Sequence, residues 1–158
     1  MRGGPALGMA KFKFRLSTLL RLRQSARDER RTQLARAYQA DEIVAQEEQR
    51  LERDLSELEN QSREASKPGP LDVDGLLETR RYELLLRAQR QHVRQQRQAV
   101  REEIENRRRT LLEADRGVRV LESLQEKQLQ RHRRNENRLE IKQLDETAQR
   151  RSAQEDQG

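Results

Sequence analysis

The chain has 158 residues, 39% charged, 32% hydrophobic and 3% aromatic, with a formal net charge of +6. That composition cannot fill one thick core. Ala, Glu, Lys, Leu and Arg make up about 56% of it and Leu, Ile, Val and Phe only about 21%, which leaves a long coiled coil or a disordered chain, and the absence of cysteine excludes disulfides, thiol nucleophiles and sulfur-ligated zinc.

The opening residues Met1 to Gly8 are small and unlike the rest. Residues 1–10 read as a flexible extension or tag remnant, or as an upstream start with Met9 the biological beginning. No apolar stretch marks a secretory signal, and none approaches the ~18 residues that would cross a bilayer. The default location is cytosolic.

A first helix is expected within residues 11–66, with Ser17 a candidate N-cap. Positions 34, 37, 41, 44, 48, 51, 55, 58, 62 and 65 keep strict 3-4 spacing and read Leu, Ala, Asp, Val, Glu, Leu, Leu, Leu, Ser, Ala. This is a coiled-coil seam with charged faults at Asp41 and Glu48. Toward the N-terminus the seam also takes in Arg23, Arg27 and Arg30, so those layers are expected to be weak.

The run Ser66-Lys67-Pro68-Gly69-Pro70 holds two of the three prolines. Two helix breakers around a glycine place a turn at 67–72, and the Asp72 carboxylate is positioned to accept the free N–H groups of a second helix. That helix is expected over 73–150, with 151–158 a disordered tail. Val100, Ile104, Arg107, Leu111, Ala114, Val118 and Leu121 repeat the 3-4 spacing within it. Gly117 is a weak point. At ~1.5 Å per residue the helices span roughly 75 and 115 Å, and the fold class is all-α: an antiparallel coiled-coil hairpin whose second helix is the longer.

Charge supports the antiparallel register. Folding about residue 69 sets position i opposite roughly 138 minus i. The acidic stretch Asp41 to Glu64 then faces Arg80, Arg81, Arg87, Arg90, Arg94 and Arg97, and the basic stretch Lys11 to Arg36 faces Glu102, Glu103, Glu105, Glu113, Asp115, Glu122 and Glu126. A parallel dimer would set like stretches together. The same relation puts Ser17 opposite Leu121, so Glu122 to Arg150, with Leu124, Leu129, Leu139, Ile141 and Leu144, is expected to lack a partner from its own chain and to bind one from elsewhere.

Nothing in the pattern carries catalysis. His92 and His132 are forty residues apart on one helix, the paired carboxylates Glu47-Glu48 and Glu102-Glu103 have no cleft to desolvate them, and no glycine-rich phosphate loop occurs. No enzyme activity, metal or cofactor is expected. A nucleic-acid reading rests on Arg107-Arg108-Arg109 and Arg131-His132-Arg133-Arg134, but neither run carries aromatics and acids interleave throughout, so an RNA-binding hairpin is the alternative and no nucleic acid is the expectation.

The segment Met9-Ala10-Lys11-Phe12-Lys13-Phe14-Arg15-Leu16-Ser17-Thr18-Leu19-Leu20-Arg21-Leu22-Arg23 resembles the opening of the flagellar export protein FliJ family. Tyr82 followed by Leu84, Leu85 and Leu86 fits the same family, and the likeness extends over about Met9 to Arg150. The chain departs from it in being rich in Arg and poor in aromatics.

The resemblance implies a component of flagellar type III protein export, or of a related virulence-type secretion system: a coiled-coil stalk similar to that of rotary ATPases, working in the cytoplasm at the inner membrane. The implied partners are the export ATPase hexamer, the membrane export-gate protein and export chaperones. Under it Arg15, Arg21, Arg23, Arg27, Arg30 and Arg31, with Arg131, Arg133, Arg134 and Arg138, are candidates for the ATPase contact. Tyr82, Leu85 and Leu86, with Leu51, Leu55 and Leu58, are candidates for the gate contact.

Overall fold

The computed structural model describes residues 11–155, so the expectation for residues 1–10 lies outside the described residues. Two helices, α1 (Ser17–Ala65) and α2 (Val73–Glu155), make up almost all of it, with no strand among the described residues. They form a hairpin coiled coil with the second arm longer, 83 residues against 49.

The turn follows the local chemistry. Ser66 Oγ donates to the Ser62 carbonyl at 2.8 Å, and Pro68 and Pro70 prevent the helix from continuing. Asp72 then caps α2: its carboxylate accepts the Gly75 N–H at 3.1 Å while its own carbonyl accepts the Leu76 N–H. A Cβ at position 75 would stand 2.6 Å from Asp72 Oδ2, so a side chain there must displace the capping carboxylate. At the other end Ser17 is already the first helical residue and the Leu16 carbonyl accepts the first i to i+4 bond, so Leu16, not Ser17, is the boundary residue.

Inter-residue contacts divide the chain into two units. One is Asp28–Glu113, containing the turn; the other combines the residues up to Arg27 with those from Ala114 onward. In the turn-containing unit Leu51, Leu55, Leu86 and Val93 form one cluster with Val44 and Leu58 packed against it. Each buried aliphatic side chain contributes ~1.5–3 kcal/mol. Of the 3-4 row on α1, only Ala65 is exposed. In the terminal unit Phe14, Leu20 and Val118 form the second cluster, with Phe12 and Leu121 against it, and Val118 is fully buried.

Three further expectations change. Arg23 and Arg30 are exposed; the half-buried positions between Phe14 and Leu34 are Gln24, Arg27 and Gln33, beside the buried Leu20. A long charged side chain at the edge of a seam turns its head to water. The unpartnered length of α2 is shorter than Glu122 onward, because half-buried positions recur at 125, 128, 129, 132 and 136 and every residue is exposed only from 137 to 155. The non-helical residues before Ser17 account for part of this, with the Phe12 and His132 rings 5.7 Å apart. Finally, α2 continues through Glu155 instead of ending at Arg150, since the sequence there contains no Gly or Pro to stop it; residues 156–158 lie outside the described residues.

Candidate binding surfaces

Each charged fault in the α1 seam has a basic partner on α2. Arg97 Nε donates to Asp41 Oδ1 at 3.3 Å and its Nη1 to Glu48 Oε2 at 2.9 Å. Arg94 bridges Glu48 at 2.8 Å and Glu52 at 2.9 Å. Arg101 and Arg87 extend the set to Asp41 and Glu59. Arg97 stands where folding about residue 69 puts the partner of Asp41, whereas Glu52 and Glu59 meet Arg94 and Arg87 instead of residues 86 and 79. Helical side chains lean toward their own N-terminus, so in an antiparallel pair long acids and bases meet C-terminal to their backbone register on both helices.

The hydrogen bond from Arg94, followed by that from Arg97, holds the Glu48 carboxyl below its ordinary value, and bonding to Glu48 raises both guanidiniums. Arg108 is raised first by its hydrogen bond to Tyr38, whose Oη accepts from Arg108 Nε at 2.6 Å. Arg107 donates to the Gln33 carbonyl at 2.7 Å and to Glu103 on its own helix. These contacts tie the two helices together.

No group of three or more His, Cys, Asp or Glu side chains is placed to hold a metal ion among the described residues. His92 Nε2 lies 3.1 Å from Gln96 Nε2, and His132 lies 3.8 Å from Glu136. No described helix is long and apolar enough to cross a membrane.

The structure sorts the candidate contact residues. Leu51, Leu55 and Leu86 are buried and Leu58 is packed beside them, so their apolar surface is spent between α1 and α2. Tyr82 and Leu85 are about half exposed. The sequence reading passed over a second exposed row near the turn: Val73, Leu77 and Leu84, at helical positions i, i+4 and i+11. Their spacing was the available signal.

Among the arginines, Arg15, Arg21 and Arg23 are exposed in the terminal unit, while Arg27 is half buried. Arg30 and Arg31 belong to the turn-containing unit, where Arg31 lies 3.8 Å from Asp28. Arg131, Arg134 and Arg138 share one shallow groove with Lys127, Gln130 and Asn135. Arg133 falls in a different 3-4 row. Lys127 was missed although its spacing from Arg131 and Arg134 is that of one helix face.

A family model described as flagellar FliJ protein matches residues 12–157. Neither a curated protein nor a solved structure matches the chain. With nearly the whole length matched and two long helices of unequal length as its fold, the chain belongs to the flagellar FliJ protein family.

Proposed function

We propose that this chain is a coiled-coil stalk of the flagellar type III export apparatus, binding the export ATPase ring and linking it to the membrane export gate. The family match over residues 12–157 carries the flagellar export assignment. The stalk role is supported by the element order, two long helices joined by one turn among the described residues.

The ATPase contact is assigned to the exposed Arg15, Arg21 and Arg23 together with Arg131, Arg133, Arg134 and Arg138. Cations at such positions form charge-assisted bonds with carboxylates and speed encounter with an acidic surface. The gate contact is assigned to Tyr82 and Leu85, which the packing leaves exposed. In this reading the protein works in the cytoplasm, peripheral to the inner membrane.

The test is co-sedimentation of the purified chain with the export ATPase. Arg15, Arg21 and Arg23 changed together to Glu are expected to abolish binding while helicity by circular dichroism stays the same. Undiminished binding would remove the N-terminal arginines from the contact.

A further inference from the structure

Along α2 the residues Lys127, Arg131, Arg134 and Arg138 follow one another at intervals of four, three and four, and all four are exposed. None forms an ion pair or a hydrogen bond to another described residue. The cause lies in the sequence: the positions three and four residues to either side of each one hold Leu, Ser, Gln, Asn, Ile or another member of the basic row and its neighbour Lys142, and never a carboxylate. Elsewhere the chain does the opposite, with Arg107, Arg108 and Arg119 each paired to an acid one turn away. Like charges one turn apart weaken an isolated helix.

The row does not end with the cations. Continuing the same 3-4 spacing reaches Leu124 and Val120 on one side and Ile141 on the other, with Val120 67% and Ile141 59% exposed. It is separate from the face occupied by the chain's own contacts, which runs through Val118, Leu121, Gln125, Gln128, His132 and Glu136. Seven successive 3-4 positions, basic in the middle and apolar at both ends, make a second coiled-coil seam with no occupant among the described residues.

We propose that this row binds an acidic amphipathic helix of another protein, which sets carboxylates at the matching 3-4 positions opposite Lys127, Arg131, Arg134 and Arg138 and apolar side chains opposite Val120, Leu124 and Ile141. Charge decides against a second copy of the chain. Row against row would bring four cations onto four, and the acidic residues of the arm, Glu122, Glu126, Glu136 and Glu140, lie on a different face and are interrupted by Leu129 and Arg133. The apolar ends decide against nucleic acid, which offers nothing to pack on them, and the acids that interleave along the same arm, Glu122, Glu126, Glu136 and Glu140, lower its net attraction for nucleic acid and for an anionic bilayer. The inference rests on the reading of this arm as a docking element and gives its partner a chemistry.

The experiment uses the full chain and a fluorescent synthetic helix with Leu, Leu, Glu, Glu, Glu, Glu, Leu at successive 3-4 positions. Its control has the same composition with the glutamates spread around the helix. Fluorescence anisotropy is expected to show at least about tenfold tighter binding of the patterned helix, a difference of ~1.4 kcal/mol. Arg131→Glu with Arg134→Glu, checked for unchanged helicity, should lose that binding and gain affinity for a helix carrying Lys in place of the two facing glutamates.

Equal binding of both peptides, or a charge exchange that fails to restore affinity, would overturn the proposal. So would a concentration-dependent dimer that the same substitutions dissociate, or duplex RNA or anionic phosphatidylglycerol vesicles binding through these residues as tightly as the patterned helix. The peptide assay contains no export component, so its failure leaves the ATPase co-sedimentation result standing, and the reverse also holds.

Discussion

Arg97 reaches from α2 to Glu48 on α1, its Nη1 donating to Oε2 at 2.9 Å, and makes a charged position in an apolar seam into a cross-helix tie. The same carboxylate accepts Arg94, so one acid joins two bases and fixes the register at a layer where Leu would pack in any of several.

Because these bonds hold the Glu48 carboxyl below its ordinary value of 4.5, the folded state binds its proton less readily than the unfolded state. The stabilisation is therefore complete above the unfolded value and is lost as pH falls through the lower folded one. Thermal unfolding followed by circular dichroism should show a falling midpoint on acidification, and Glu48→Gln should lower the neutral midpoint while flattening the acid limb. An unchanged pH profile would show that the Arg94 and Arg97 contacts do not favour the ionised form.

Leu51 is 2% exposed at the centre of its cluster, whereas Leu84 is 54% exposed. Leu51→Ala is expected to cost about 2–4 kcal/mol by urea denaturation, the transfer loss plus the cavity. Leu84→Ala should stay within ~0.5 kcal/mol. Equal costs would place Leu84 inside a packed layer.

The Asp72 cap is expected to contribute about 1 kcal/mol, lost in Asp72→Ala. Gly75→Ala should fail to give the usual gain of replacing a helical glycine, since its Cβ must displace the capping carboxylate. Denaturation of the two single variants and the double variant tests this: once Asp72 is gone, Gly75→Ala should become stabilising.

Gly117 presents the contrary case. Nothing lies within 4 Å of the position its Cβ would occupy, so Gly117→Ala should raise stability by about 1 kcal/mol through backbone entropy alone. A loss on the same measurement would mean that the helix needs this glycine for a movement or a partner.

Tyr82 and Leu85 carry the proposed gate contact without contributing to the buried clusters. Tyr82→Ala with Leu85→Ala should therefore weaken capture of the purified gate domain while the unfolding midpoint shifts little. A large drop in stability would return both residues to a packing role.

The turn at Pro68-Gly69-Pro70, the Asp72 cap, the two 3-4 rows and their antiparallel pairing could be read from the chain because each depends on local spacing or on a residue whose backbone is restricted. The Arg97 partner of Asp41 followed from folding about residue 69. The partners of Arg94 and Arg87 did not, because the lean of long side chains moves contacts by up to two turns, and the exposure of Arg23 and Arg30 depended on where α2 sits beside them.

Sequence alone determined that this protein is a pair of long helices closing on one turn, since proline, glycine and 3-4 apolar spacing act within a few residues. Only the tertiary structure decided which of several periodic faces is occupied. Val118 and Val120 have the same chemistry and stand two residues apart, yet one is fully buried against Phe14 and Leu20 and the other is 67% exposed. Burial is settled by what packs against a face, and that depends on residues distant in the chain.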